Sequence, residues 1–559
     1  MAQADRFQCG WVKPFTTIKG EDHLGVLAQS VRMYSELLPG LTNVTERLWA
    51  YGFYPWLTLH HERRTHAGWA LSFQQTIRRA EILAAAAAHL HELDTGEGDR
   101  AHGAHMTGRR TLNPLVEQLH RGELGRLPVA RLALPGATRE GRYFGNRYGG
   151  YGQYYRATFD QAGFLEWKNG PVCTLKGPGI ALGETMGGIL DAETLFQAIC
   201  QDEVDLPTLR GLDFCCPCRL RSAPPIQAML RSFLLNLPGP TFPAREGAEL
   251  RRQTLLLLLA SIHHTPENQE HRLDPGTAFR RSMYSGVWED GSGHALPAEF
   301  GEARERWRIY QRHELLAVFL QTLFWAGLRA LDDTPAASLR AYCATFLATF
   351  RGDLERIAPL ADPLDQARNR IMGALPGLGD RLQHGHELQL AARIMIQVHS
   401  TAPELGTCVE LAVRGLLTLL ARGLPVAGNP YLPFRAAAQA LTDPADLNLL
   451  TFAQAATLQA ADATFEDWLR VLVRDWGAQA HLRVAYRKYY QEFGKDTFKL
   501  RPVENGLLPA ARDQMPVPTW TYPRLGTACQ FLFEAGFLDP EGALTADGRD
   551  LLREGGLHA

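Results

Sequence analysis

Residues 139–182 decide the fold of this chain, and they read REGRYFGNRYGGYGQYYRATFDQAGFLEWKNGPVCTLKGPGIAL. Arginines and aromatic residues come first, among glycines, and residues 153–161 then have helical spacing. Gly163 follows that segment, and glycine readily adopts the left-handed conformation that ends a helix. Trp167-Lys-Asn-Gly170 is a turn signal between two short extended pieces, which predicts a hairpin. The predicted order is therefore helix, turn, hairpin and second helix.

The same order of elements returns at the end of the chain. Residues 525–534 have helical spacing, and Ala535-Gly-Phe-Leu538 repeats the turn Ala162-Gly-Phe-Leu165. A hairpin and a final helix are predicted to follow. The interval from the turn glycine to the glycine of the next helix is 16 residues in the first copy and 12 in the second. The first hairpin is therefore expected to be longer, a change that surface loops tolerate.

Both segments resemble bacterial winged helix-turn-helix domains. In that family a helix ends in an Ala-Gly-Phe/Leu-Leu turn, and Leu-Thr-x-x-Gly begins the helix after the hairpin. The C-terminal copy has Leu544, Thr545 and Gly548 at those positions. The N-terminal copy departs from the pattern with Lys176 in place of threonine and with Gly177-Pro178 inside the motif. The resemblance implies two winged helices, which bind DNA in some members of the family and protein in others.

A second resemblance concerns residues 37–56, LLPGLTNVTERLWAYGFYPW, and residues 307–314, WRIYQRHE. These passages are similar to an uncharacterised group of bacterial proteins associated with phage-defence and mobile-element loci. The similarity implies a genome-defence context and brings no catalytic residues with it.

Composition and periodicity predict a mainly α-helical fold with a multi-helix scaffold, and the resemblance implies that it includes two winged helix-turn-helix elements that carry short β-hairpins. The 559 residues suffice for several domains. Apolar residues recur at helical spacing through the middle of the chain. We predict an N-terminal helical domain (1–107), a winged-helix-like domain (108–190), a helical middle domain (191–480), and a basic segment with a C-terminal winged helix (481–559).

We expect a cytoplasmic protein without a membrane partner. The sequence contains no run of apolar residues long enough to span a bilayer, and its N-terminus lacks the basic and apolar regions of a secretory signal. Nine cysteines, unevenly spread along the chain, fit a reducing compartment better than a disulfide framework.

Two clusters of cations among tyrosines are the candidate nucleic-acid contacts. The net charge is −2, so that binding to phosphate depends on such local patches. Cations contact phosphates and aromatic faces stack on bases. The first cluster comprises Arg139, Arg142, Arg147, Tyr148, Tyr151 and Arg156, and the second comprises Arg483, Arg487, Lys488, Lys495, Lys499 and Arg501. In the alternative interpretation, the tyrosines pack a helix against its neighbours and the arginines pair with acidic groups.

Cys215 and Cys218 have the C-x2-C spacing of a zinc knuckle. No second knuckle follows in the sequence, and the other candidate ligands are Cys173, Cys200, His263 and His264. Structural zinc is the single cofactor that the sequence suggests, and buried thiols without metal are the alternative. A separate group of histidines and carboxylates around His91 and His102 is interpreted as a solvated loop, because His89 and His91 point to different faces of a helix.

The sequence contains no P-loop, Rossmann fingerprint, nucleophile elbow or His-Glu-x-x-His motif. We therefore expect a non-enzymatic protein. The cation clusters and the two resemblances add the expectation of a DNA-binding component of a bacterial anti-phage defence or genome-maintenance complex, with double-stranded DNA and protein subunits as its partners. Two alternatives stay open. One is a helical adaptor with a kleisin-like plan that binds an ATPase or a nuclease. The other is a nuclease or other hydrolase whose active site is assembled from distant helices.

Overall fold

The computed structural model describes residues 22–135, 142–167, 173–239, 241–242, 245, 247–266, 274–423, 447–458, 462–491 and 496–557. The predicted mainly α-helical fold is confirmed, with 62% helix and 4% strand. Within this part of the chain, the strands form two separate antiparallel pairs.

The elements are numbered here in chain order. The first half contains α1 (Leu27–Leu37), α2 (Ala50–His66), α3 (Phe73–Thr95), α4 (Arg109–His120), α5 (Val129–Leu132), α6 (Arg156–Gln161), β1 (Leu165–Trp167), β2 (Cys173–Leu175), α7 (Gly177–Met186), α8 (Ala192–Cys200), α9 (Leu206–Arg210), α10 (Pro224–Leu234), α11 (Ala248–His263) and α12 (Pro275–Ser285). The second half contains α13 (Gly301–Leu331), α14 (Leu339–Thr349), α15 (Arg351–Glu355), α16 (Leu364–Gly373), α17 (Glu387–Val398), α18 (Leu405–Arg422), α19 (Leu449–Leu458), α20 (Phe465–Arg470), α21 (Ala480–Gln491), β3 (Leu500–Val503), β4 (Gly506–Pro509), α22 (Leu525–Glu534) and α23 (Ala546–Glu554).

The chain divides into two compact units, each built from two separated parts of the sequence. The first unit comprises Tyr34–Trp307 and Tyr522–Ala559, and the second comprises Met1–Met33 and Arg308–Thr521. The four domains predicted from the sequence have different bounds and stay a prediction.

Helix α3 lies at the centre of the first unit. Its start is fixed by a capping box, in which Ser72 Oγ accepts from the Gln75 amide at 3.3 Å and Gln75 Oε1 accepts from the Ser72 amide at 3.0 Å. Its middle is a run of buried alanines, which lets neighbouring elements approach the backbone closely. Gly96, with φ of 68°, ends the helix. The C-terminal end of α3 therefore has a defined position, and His91 lies just over one turn before it.

The helix, turn, hairpin and helix order occurs twice in the first unit, as α6-β1-β2-α7 and as α22 and α23 around a single bridge between Leu538 and Leu544. The turn glycines Gly163 and Gly536 have φ of 67° and 82°. In the longer hairpin, Leu165 pairs with Leu175 and Glu166 with Thr174.

The backbone bonds of the two copies also correspond. The carbonyl of Phe164 accepts from the Lys176 amide at 2.8 Å, and the carbonyl of Phe537 accepts from the Thr545 amide at 3.1 Å. A Cβ atom on Gly179 would lie 2.4 Å from the oxygen of Phe164. One on Gly548 would lie 2.3 Å from the oxygen of Phe537. Glycine is therefore required at both positions by the close approach of the following helix to the turn.

The second unit contains helices α14 to α21 and the β3–β4 hairpin. In that hairpin Leu500 pairs with Pro509 and Val503 pairs with Gly506. One helical stretch of the chain, Ala298–Leu331, is long and apolar enough to cross a membrane, but 83% of its most apolar window is buried inside the protein. A core helix that is apolar on all sides has the same composition.

Candidate functional site

The first arginine and tyrosine cluster is largely built into the first unit. Tyr151 is only 2% exposed and Tyr148 is half-buried. Arg147 is exposed, and its Nε donates to Gln74 Oε1 at 2.6 Å. Arg142 and Arg156 are half-buried. Arg139 lies outside the described residues. We refer to Arg142, Arg147, Tyr148, Tyr151 and Arg156 as the loop cluster.

A buried carboxylate explains why the tyrosines around this cluster face inward. Glu81 on α3 accepts from the hydroxyls of Tyr54 at 2.9 Å and Tyr143 at 2.7 Å. It also accepts from the amides of Gly150 at 2.9 Å and Tyr151 at 2.8 Å. Burial raises the pKa of Glu81, and these four donors oppose that rise. The carboxylate thereby ties the glycine-rich segment to the helix.

Arg78, one turn before Glu81, completes this attachment. Its buried guanidinium donates to the carbonyls of Ala133 and Asn146, and to that of Phe144 at 3.1 Å. It also lies 4.7 Å above the ring of Tyr143. The buried guanidinium thus satisfies carbonyl oxygens that would otherwise need hydrogen bonds from water. Tyr151 consequently has no exposed face on which a base could stack.

The second cluster has the opposite placement, on the surface of α21. Tyr486 and Tyr489 are each 43% exposed and Tyr490 is 77% exposed. Arg483 is exposed and Arg487 is half-buried. Residues three, four and seven apart share one side of a helix, so Arg483, Tyr486, Arg487 and Tyr490 form a single stripe. We call these four residues the α21 face.

The other predicted residues of the second cluster lie around this face or behind it. Lys488 is buried, and its Nζ donates to the carbonyl of Asp22 at 2.9 Å, so this cation supports the helix from the inside. Lys499 is half-buried, while Arg501 on β3 is exposed and paired with Asp496. Lys495 lies outside the described residues. Phe498 extends the aromatic surface, with its ring 5.0 Å from that of Tyr486.

His481 joins α21 to the β3–β4 hairpin. Its Nε2 accepts from the amides of Lys499 at 2.9 Å and Leu500 at 3.2 Å, which leaves Nδ1–H to donate to the carbonyl of His23 at 3.1 Å. Both bonds from the strand require a neutral imidazole. Burial lowers the pKa of His481 to about 4, and this neutral form is therefore kept at physiological pH.

A third group of side chains brings together two parts of the sequence that had been interpreted separately. His91, His102, Cys216 and Cys218 place their ligand atoms within 4.8 Å of one another. His91 Nδ1 lies 3.2 Å from His102 Nδ1 and 3.5 Å from Cys218 Sγ. His102 Nδ1 lies 3.2 Å from Cys216 Sγ. We call this group the His2Cys2 cluster.

The cluster contains Cys218 from the predicted knuckle, but with Cys216 in place of Cys215. Cys215 ends one short 3-10 helix, Asp213–Cys215, and the next begins at Pro217, so neighbouring cysteines point in different directions. The Cys215 side chain is buried, and burial raises the pKa of its thiol. The hydrogen bond from Cys216 and the neighbouring His102 lower the pKa of the Cys218 thiol.

The sequence interpretation missed His91, His102 and Cys216 as members of one group. The available signals were the short Cys-Pro-Cys motif and two histidines that flank the end of a long helix. Comparison with known proteins adds nothing here, since no family model, curated protein or solved structure matches the chain. The chemistry of both sites is therefore argued from their own geometry.

Proposed function

We propose that this chain is a DNA-binding protein that holds an unpaired strand on the α21 face. The observation that carries the proposal is the exposure of Tyr486 and Tyr490, at 43% and 77%, beside Arg483 and Arg487 on the α21 face. Stacking of a base on an aromatic ring contributes about 1–3 kcal/mol and tolerates any sequence. Tyrosines that packed the helix into the unit would be covered instead.

Charge supports the same proposal. Arg483 and Arg487 lie one turn apart on the α21 face, at a spacing suited to neighbouring phosphates of an extended strand. Lys499 lies just before β3, which packs beside α21, while Arg501 on β3 is already paired with Asp496. The chain as a whole carries a net charge of −2, so that attraction of a phosphate backbone must be local to such a patch.

We further propose that the two helix, turn, hairpin and helix segments are winged helices that serve in packing. The helix before the hairpin is the one that enters the major groove in helix-turn-helix proteins. Eight of the ten residues of α22 are buried, which leaves no face for a groove. This burial supports an unpaired strand on α21 over duplex DNA on α22.

The proposal also includes a non-enzymatic role in a bacterial defence or genome-maintenance complex. This part is supported by the similarity of residues 37–56 and 307–314 to proteins of phage-defence loci. The alternative is that a partner protein covers the exposed tyrosines of the α21 face, as expected if the chain is a helical adaptor.

Fluorescence anisotropy tests the proposal with a labelled oligothymidylate of about 25 nucleotides, longer than a typical site for one strand. We expect binding whose affinity falls with salt, and a loss of about tenfold or more for Tyr490→Ala. Tyr522→Ala is the matched control, because Tyr522 is also 77% exposed but lies in the first unit. Absence of binding at low salt, or equal affinity of Tyr490→Ala and the wild type, would refute the proposal and favour a protein partner.

A further inference from the structure

We propose that His91, His102, Cys216 and Cys218 form a structural zinc site that ties three segments of the first unit together. The ligands come from the C-terminal part of α3, from the loop after it, and from the Cys-Pro-Cys turn that follows α9. This inference is independent of the DNA-binding proposal, because none of the four residues belongs to the α21 face.

The separations between ligand atoms fit a tetrahedral zinc ion. With Zn–N near 2.05 Å and Zn–S near 2.3 Å, a tetrahedron places two nitrogens about 3.3 Å apart and a nitrogen and a sulfur about 3.6 Å apart. The observed distances are 3.2 Å between the two histidine Nδ1 atoms, and 3.2 and 3.5 Å for the two pairs of nitrogen and sulfur. The four ligand atoms all lie within 4.8 Å of one another, so small side-chain movements are enough to bring them around one ion.

His102 is oriented as a metal ligand should be. Its Nε2 lies 3.0 Å from Glu97 Oε2, so a proton on Nε2 is donated to the carboxylate and Nδ1 keeps its lone pair for a metal. Its side chain is fully buried. A carboxylate behind a ligating imidazole raises the basicity of the ligand and fixes its ring.

The loop that carries His102 is held in place independently of the cluster. Buried Arg47 donates to the carbonyls of Arg100 and Ala104, both at 3.0 Å, and to that of Ala101 at 3.2 Å. The same arginine forms an ion pair of 2.7 Å with buried Glu534 on α22. The imidazole of His102 is thus presented on a fixed backbone, as a preorganised site requires.

The types of ligand indicate which metal binds, and their number indicates that the metal has a structural role. Two thiolates with two imidazoles suit zinc, whereas magnesium and calcium require oxygen ligands. Four protein ligands complete the tetrahedron and leave no position for a substrate or an activated water, which is the arrangement of a structural site.

The loop that carries His102 also contacts the C-terminal segment that contains α22. Arg100, two residues before His102, donates to the carbonyl of Pro540 at 2.8 Å and lies 4.4 Å above the ring of Phe533. Gln530 on α22 in turn donates to the carbonyl of Arg100 at 3.2 Å. The loop that carries one ligand is thus bound to α22 by Arg100 as well as by Arg47.

Metal analysis of the purified full chain, expressed with zinc in the medium, tests the site directly. We expect about one zinc ion per chain. Cys216→Ser and Cys218→Ser should lose the metal. Cys215→Ala and the exposed Cys200→Ser are the controls that should retain it. Retention by Cys216→Ser with loss by Cys215→Ala would overturn this ligand set.

Cobalt uptake by the reduced, chelator-treated protein keeps the test valid if a serine variant fails to fold. We expect Co²⁺ alone to give the visible absorption of a tetrahedral thiolate site. His91→Cys retains a zinc-competent ligand set, and its third thiolate should strengthen the sulfur-to-cobalt absorption. A wild-type protein that contains no zinc and takes up no cobalt overturns the proposal. So does a His91→Cys spectrum identical to that of the wild type.

Discussion

The loop cluster and the α21 face both combine arginine with tyrosine, but their environments differ. Tyr151 of the loop cluster is buried and Tyr148 is half-buried, whereas Tyr486 and Tyr490 of the α21 face are exposed. The difference lies in the neighbouring elements. Helix α3 offers the loop a buried carboxylate and a buried guanidinium, Glu81 and Arg78, which bind its hydroxyls, amides and carbonyls.

The comparison shows that a tyrosine is buried where the core supplies a hydrogen-bond acceptor for its hydroxyl. At α21 the supporting polar groups, His481 and Lys488, point away from the tyrosines and bind backbone carbonyls and amides instead. The rings consequently remain on the surface. If this account is correct, substitutions in the two regions should separate effects on stability from effects on binding.

The largest expected effect is that of Glu81→Ala. Loss of the carboxylate would leave two buried hydroxyls and two buried amides without their acceptor, which should lower the free energy of unfolding by about 3–5 kcal/mol. Urea unfolding measures this change. Glu184→Ala is the control, because Glu184 forms an exposed ion pair with Arg63 that should contribute at most about 1 kcal/mol. Equal losses for both variants would mean that Glu81 does not hold the loop segment inward.

Acid should weaken the α21 region through His481. Its pKa is lowered from 6.5 to about 4 in the folded state, so the neutral imidazole contributes stability above pH 6.5 that is lost as pH falls toward 4. Between pH 7 and pH 5 the loss should be about 2 kcal/mol. The neighbouring charged groups, Lys488 and Lys499, lower this pKa in the same direction as burial.

Comparison of variants isolates this contribution from that of other histidines. Urea unfolding of His481→Gln at pH 7 and pH 5 should show a smaller dependence on pH than that of the wild type, by about 2 kcal/mol. His384→Gln, at an exposed histidine, should leave the dependence unchanged. An unchanged pH dependence in His481→Gln would contradict the role of the neutral imidazole as the link between α21 and β3.

The sequence predicted the repeated order of elements better than it predicted either site. Turns and helix starts depend on residues close in sequence, so Gly163 and Gly179 and their later counterparts were enough to predict the repeat. Burial of Tyr143 depends on Glu81, which lies 62 residues earlier. No local pattern connects the two residues.

The His2Cys2 cluster illustrates the same limit. His102 and Cys216 are 114 residues apart, and neither belongs to a zinc motif of standard spacing. The C-x2-C pattern pointed to Cys215, whose side chain the adjoining short helices direct into the core. Helical geometry correctly predicted that His89 and His91 lie on different faces of α3. It does not predict that Cys216 and Cys218, distant in sequence, pack beside His91.

The same small substitution should have different results in the two regions. Tyr143→Phe removes a hydroxyl that donates to buried Glu81 at 2.7 Å, which should cost about 1.5 kcal/mol or more in the free energy of unfolding. Tyr490→Phe removes an exposed hydroxyl and keeps the ring, so we expect unchanged stability and unchanged DNA affinity. Thermal or urea unfolding with anisotropy on both variants checks this. A marked loss of affinity in Tyr490→Phe would show that the hydroxyl, and not the ring, binds the strand.

The smallest expected effect separates the arginines of the two regions. Arg483→Ala should weaken DNA binding modestly and reduce the slope of log affinity against log salt by about 0.7, the value for one lost phosphate contact on a single strand. Arg147→Ala should leave the slope unchanged, because Arg147 of the loop cluster already donates to Gln74 on α3. Anisotropy titrations over a range of salt concentrations measure both slopes. Equal reductions would place the loop cluster on the path of the DNA as well, and the two regions would then differ in the burial of their tyrosines but share their partner.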